Sequence, residues 1–229
     1  MPDFKSFASR LGLNFNNEAL LVEALTHRSY LNENRGTVPA HNERLEFLGD
    51  AVLELAVTHF LFITYPLKQE GELTSYRSAL VNTVSLASLA TALHINDFLL
   101  LSKGEAKDTG RARQIILANA FEALLGAIYL DQGYAVAEQF LATNLYPRLG
   151  EVLASGSWQD AKSRFQEASQ EHRGVTPSYK TISETGPDHD RHFVVGVYLH
   201  AEEMGQGEGK SKQEAEQAAA QDAIAKAGW

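Results

Sequence analysis

Cysteine is absent from the 229 residues. That excludes disulfides, thiolate metal sites and cysteine nucleophiles, and it leaves oxygen and imidazole as ligand chemistry, so any metal should be hard and oxygen-bound. Long apolar runs are also lacking. No stretch approaches the roughly 18 apolar residues of a membrane helix, and MPDFKSFASRLGLNF at the N-terminus has no apolar block behind its basic residues. The expectation is a soluble, cytoplasmic protein with no membrane partner. Basic charge is scarce too, with 20 Lys and Arg against 29 Asp and Glu and a net charge of −9. Phosphate binders usually show a basic patch, so this balance speaks against a nucleic-acid partner unless local charge placement answers it. Finally, the eight histidines show no H-x-x-x-H or H-E-x-x-H spacing, no G-x-S-x-G nucleophile context occurs, and GQGEGK lacks Walker spacing. No nucleotide cofactor is implied.

What is present divides into two parts. Residues 1–153 carry long helical patterns, and 44% hydrophobic content suits a chain with a real core. The small-residue break SGSW falls in a linker placed at 154–158. From 159 to 229 the pattern changes to a helical stretch (DAKSRFQEASQEH), a β-type region (YKTISET, the turn GPDHD, HFVVGVYLH), three alternate glycines and a last helix, KSKQEAEQAAAQDAIAKAG. The expected architecture is an all-α domain followed by a small α+β domain of order α-β-β-β-α.

The segment HNERLEFLGDAVLELAVTHFLFITYP reads as a helix with Asn42 as its N-cap and an end by Tyr65, before Pro66. At about 100° per residue, Glu43, Glu46, Asp50 and Glu54 share a stripe roughly 80° wide, with Leu45, Leu48, Val52 and Leu55 opposite. Such a stripe is often simply a solvated face. Here no Lys or Arg is interleaved to relieve the like charges, and Phe47 lies beside the acids, as in a covered surface such as a subunit interface.

The stretch LANAFEALLGAIYL belongs to a second helix, apolar on nearly every side, with Ile115, Ile116, Leu117, Phe121, Leu124, Leu125, Ile128 and Leu130 around it. Its polar stripe is Asn119 and Glu122. They are either a satisfied core pair or part of a site, because an unpaired buried carboxylate costs several kcal/mol or takes up a proton. Gly49 and Gly126 each occupy a helix interior within a turn of these acids, although glycine costs about 1 kcal/mol there. The inference is a close helix crossing that gathers Glu46, Asp50, Asn119 and Glu122. Four oxygen donors suit Mg²⁺, with Mn²⁺ as a substitute, and such a site suits phosphodiester hydrolysis.

HNERLEFLGDAVL closely resembles the signature of bacterial-type ribonuclease III. LTHRSYLNE, ANAFEALLGAIYLD and the tail are similar as well, in the family's order. The resemblance implies a dimerising all-helical nuclease domain followed by a double-stranded-RNA-binding domain. It implies that Glu46, Asp50 and Glu122 are metal-binding, with Asp50 and Glu122 the essential catalytic pair. Glu43 matches an acid near the RNA, and Phe47 matches the residue that plugs a socket in a partner subunit. Asn119 departs from the family, whose usual residue there is Asp; an amide carbonyl still ligates a hard cation, but without charge.

Residues 151–229 hold eight Lys and Arg against thirteen Asp and Glu, so the tail is itself acidic. Local placement matters more, since screening cuts off charges beyond roughly 8 Å at physiological salt. GEGKSKQ puts Lys210 and Lys212 at a helix N-terminus, which favours phosphate. By the resemblance, Gln166, Glu167 and Pro187 to His189 meet minor grooves, while Lys210, Ser211 and Lys212 hold phosphates. Gln213 and Glu214 replace the usual further basic residues, which predicts weak, salt-sensitive binding by the isolated tail.

The expected protein is thus a homodimeric, Mg²⁺-dependent endoribonuclease of double-stranded RNA. By the resemblance it leaves 5′-phosphate and 3′-hydroxyl ends and acts in rRNA and mRNA processing. Two other readings stand beside it: a non-cleaving double-stranded-RNA-binding protein, suggested by Asn119, and a helical metalloprotein unrelated to RNA, which fits the acids but not the tail.

Overall fold

The computed structural model describes residues 2–34, 36, 40–155, 161–187 and 191–229. The chain forms two compact units, 1–158 and 159–229, and most of the linker expected at 154–158 lies outside the described residues. The first unit is helical: α1 (Phe4–Arg10), α2 (Glu18–Ala24), α3 (Arg28–Glu33), α4 (Glu43–Thr64), α5 (Glu70–Val81), α6 (Thr83–Ala92), α7 (Arg111–Gln132), α8 (Tyr134–Asn144) and α9 (Leu149–Ser155), with short 3₁₀ turns between some of them. The second is α10 (Ala161–Arg173), β1 (Ser178–Thr185), β2 (His192–Leu199), β3 (Glu202–Gly209) and α11 (Lys212–Ala227). Its strands form one antiparallel sheet in the order β1-β2-β3.

In the first unit α7 is the central post, with Phe121, Leu124, Leu125 and Ile128 fully buried. The flanking helices bring Phe7, Leu53, Leu61, Leu80 and Leu86 against the same core. By length and composition α4 and α7 would each reach across a bilayer, which a residue-by-residue reading misses; α7 has 61% of its apolar window packed inside the protein, as a core helix does.

Helix α4 begins after Asn42 as expected, but the Asn42 side chain makes no cap hydrogen bond. It is buried and donates to the Ala24 carbonyl at 3.3 Å, while its backbone N–H donates to the Thr26 carbonyl. A tertiary demand has taken the capping side chain. The inward face also differs from the expected one: Leu45 and Val52 are buried with Leu53, Ala56 and Val57, whereas Leu55 is 60% exposed. The core wraps α4 on the Leu53 side and leaves Leu55 outside.

In the second unit Phe165, Val197, Leu199, Ala219, Ala220 and Ala223 make the core. Strand β3 owes its place to missing side chains. A Cβ on Gly207 would lie 2.1 Å from the Ala219 nitrogen, and one on Gly205 would lie 2.6 Å from the Ala223 nitrogen. Helix α11 therefore rests almost on the backbone of β3.

Candidate active site and RNA face

The acidic stripe and the polar stripe meet where α4 crosses α7. A Cβ on Gly49 would stand 1.8 Å from the Glu122 carbonyl oxygen, and one on Gly126 would stand 2.3 Å from the Leu45 carbonyl oxygen. Only glycine at both positions lets the helices approach so closely, as the sequence implied. The crossing brings Glu46, Asp50, Asn119 and Glu122 to one locality.

Electrostatics distinguish the members of the stripe. Its two ends are neutralised from elsewhere in the fold: Arg28 pairs with Glu43 at 3.1 Å and Arg77 with Glu54 at 3.0 Å. Neither cation is on α4, so neither was visible in the helical pattern. In the middle, Glu46, Asp50 and Glu122 have no cationic partner among the described residues. Burial pushes the Glu122 carboxyl up to about 7, with Asp50, Glu46 and Glu54 adding to the rise. Burial also raises Glu46, with repulsion from Glu43 and Asp50, while the facing Asn119 amide offsets part of that rise. Among the described residues no three His, Asp or Glu side chains are already gathered as a ligand set. Without a cation between them, like charges are expected to splay or hold a proton.

Phe47 projects from the same helix and is 81% exposed. Beside it opens a surface cavity of about 580 Å³, with Leu20, Leu45, Leu48 and Leu130 as its apolar wall and His41 and Glu43 among its polar lining. His27 caps α3: its Nδ1 accepts from the Ser29 backbone N–H at 3.3 Å.

On the second unit, Gln166 and Glu167 are exposed on α10, and Pro187 is exposed after β1. His189 lies outside the described residues. Ser211 caps α11, accepting from the Glu214 N–H at 3.2 Å, and the Glu214 carboxylate accepts from the Lys210 N–H at 2.9 Å. Lys210 and Lys212 therefore flank a helix start, but that start already holds a carboxylate. Lys210 has no side-chain ion pair among the described residues. Lys212 stands 3.9 Å from Glu184, a residue that sequence reasoning passed over, as it did Arg191, because their proximity arises from strand register.

Comparison with known proteins agrees with this anatomy. A family model described as ribonuclease-III-like matches residues 17–149, and a double-stranded RNA binding motif matches 161–227. Ribonuclease 3 of Anoxybacillus flavithermus is 48% identical over 223 residues, covering 97% of this chain and 93% of that protein. Ribonuclease 3 of Bacillus velezensis is 48% identical over 226 residues, covering 99% and 90% respectively. Among solved structures, the nuclease domain of ribonuclease III from Campylobacter jejuni is similar at a TM-score of 0.57 and 37% identity, covering 63% of this chain and 99% of that one. With both matched domains in order and near-half identity along almost the whole length, the chain belongs to the ribonuclease III family, as a ribonuclease with its own double-stranded-RNA-binding motif.

Proposed function

We propose that the protein is a homodimeric, Mg²⁺-dependent endoribonuclease that cuts double-stranded RNA and leaves 5′-phosphate and 3′-hydroxyl ends, with rRNA precursors and other structured transcripts as substrates. The observation that carries this reading is the trio Glu46, Asp50 and Glu122, unpaired at the α4–α7 crossing while the neighbouring acids Glu43 and Glu54 are ion-paired. Three carboxylates that face one helix crossing repel one another, and a cation among them would relieve that repulsion. A hard divalent ion suits an all-oxygen donor set, whereas zinc prefers nitrogen and sulfur. Glu46, Asp50 and Glu122 would hold the ion with the Asn119 carbonyl as an uncharged fourth donor, and Mn²⁺ would substitute. When bound, such an ion lowers the pKa of a coordinated water and neutralises charge developing on the phosphate.

The chain's own groups do the rest. Asp50 is exposed, so RNA would reach it from solvent. Glu122 lies deeper and, once ionised, would orient the attacking water. Gln166, Glu167, Pro187 and His189 would meet minor grooves, and Lys210, Ser211 and Lys212 would hold phosphates, consistent with duplex RNA being read by shape. Glu43 would lie near the RNA, and Phe47 would enter the hollow beside its counterpart on a second copy.

A long perfect RNA duplex incubated with Mg²⁺, Mn²⁺ or EDTA tests the reading. Metal-dependent cutting is expected, and Glu122→Gln should abolish it while leaving duplex binding intact. The second reading, a protein that binds duplex without cutting, rests on Asn119. Retention of duplex with no cutting under either metal would favour it. No duplex binding even at low salt would remove RNA from the account.

A further inference from the structure

Strand register sets up an arrangement at the start of α11. Glu184 on β1 pairs directly with Phe193 on β2, and Phe193 pairs with Gly209 on β3. Directly opposed residues share a sheet face, and Phe193 is turned inward with Ala215 of α11. The Glu184 side chain therefore emerges on the helix side of the sheet, next to the first residue of α11. There its two oxygens serve two cations. Oε1 lies 2.6 Å from Nη1 of Arg191, and Oε2 lies 3.9 Å from Nζ of Lys212, whose ammonium also rests 5.7 Å from the centre of the Phe193 ring.

We propose that Glu184 is an internal counter-ion that competes with RNA phosphate for Lys212 and Arg191, and so limits how tightly the domain grips a duplex. The proposal rests on the reading of the α11 start as a phosphate contact. A carboxylate shared by two cations presents them with the same charge and hydrogen-bonding oxygens as a phosphate. The Lys212 and Arg191 side chains are 60% and 44% exposed, so both can turn outward, and exposed pairs of this kind are individually weak. Exchange for RNA is then easy but incomplete, because Glu184 stays beside any phosphate that replaces it. Elsewhere in the domain Lys162 is tied to Glu216, Arg173 to Glu202 and Lys226 to Asp222. The few cations near the RNA face therefore carry unusual weight.

The test is binding of the full chain, in EDTA so that nothing is cut, to a duplex of about 25 base pairs, longer than the roughly 16 that one such domain spans. Glu184→Gln should tighten binding by about three- to tenfold near physiological salt. It should also steepen the fall of log K with log salt by up to about 0.9. The gain should shrink when Lys212→Gln is present as well, which a purely structural role would not produce. Unchanged or weaker binding by Glu184→Gln, with normal thermal unfolding and with Lys212→Gln still weakening the complex, would overturn the proposal and leave the RNA face standing. If Lys212→Gln and Arg191→Gln both bind as tightly as the parent, the phosphate-contact reading falls, and the proposal with it.

Discussion

Gly49 and Glu122 are in backbone contact: the methyl group that Gly49 lacks would stand 1.8 Å from the Glu122 carbonyl oxygen. The acidic face of α4 is thereby held against the carboxylate-bearing turn of α7 by the absence of a side chain.

Gly49→Ala is accordingly expected to destabilise the protein by about 2–3 kcal/mol, because overpacking exceeds the roughly 1 kcal/mol that alanine gains in a helix. Urea unfolding measures this directly. Since the helices must part to admit the methyl, metal-dependent cleavage should fall more than duplex binding does. An unfolding midpoint equal to the parent's would show that the crossing is looser than described.

The raised Glu122 pKa makes stability depend on pH with a definite sign. With a folded value of about 7 against an ordinary 4.5, the folded, metal-free protein holds a proton that the unfolded chain has lost between those pH values. Its contribution is complete below about 4.5 and is lost as pH rises through about 7. After discounting for solvent screening it amounts to about 1 kcal/mol. Thermal melts of metal-free Glu122→Gln should lack this part of the pH dependence. The Mg²⁺ concentration needed for cleavage should rise as pH falls below about 7, because the ion must displace the proton.

Asn119 faces Glu46 without contributing charge. Asn119→Asp should lower the Mg²⁺ concentration for half-maximal cleavage by about three- to tenfold, the effect of one added ligand charge at short range. Calorimetric titration with Mg²⁺ provides a readout independent of activity. An unchanged titration would exclude residue 119 from the ligand set.

Phe47 is the most exposed aromatic on α4 and borders a hollow with a leucine wall. Phe47→Ala should weaken self-association by at least about 2 kcal/mol, the loss typical of a central aromatic anchor. Sedimentation across a concentration series would show it as a shift toward monomer. Full retention of the dimer would place the interface elsewhere.

The candidate site is legible in the sequence to the extent that its features are local or leave a local cost. Two glycines inside helices are unfavourable where they stand, and that cost points to the crossing. The acids followed from helical spacing. The partners of the stripe did not: Arg28 and Arg77 reach Glu43 and Glu54 from α3 and α5, so an unrelieved acidic face in one dimension is half relieved in three. Leu55 was placed inward by periodicity, but the neighbours pack around the Leu53 side instead. Glu184 is illegible in the sequence for the same reason as the arginines, because strand register and not chain distance makes it a neighbour of Lys212. The run of alternate glycines carries little intrinsic strand propensity, and only the alanine face of α11 accounts for it.

That contact between β3 and α11 has a consequence for how the domain can change over time. Gly205, Gly207 and Gly209 each lack the space for even one added carbon, whereas Gln206 and Glu208 between them are exposed. Drift along this strand should therefore follow a two-residue beat, with frozen positions alternating with permissive ones. The RNA-binding domain can thus retune the charge of its outer surface through the permissive positions, while the distance from sheet to helix stays constant.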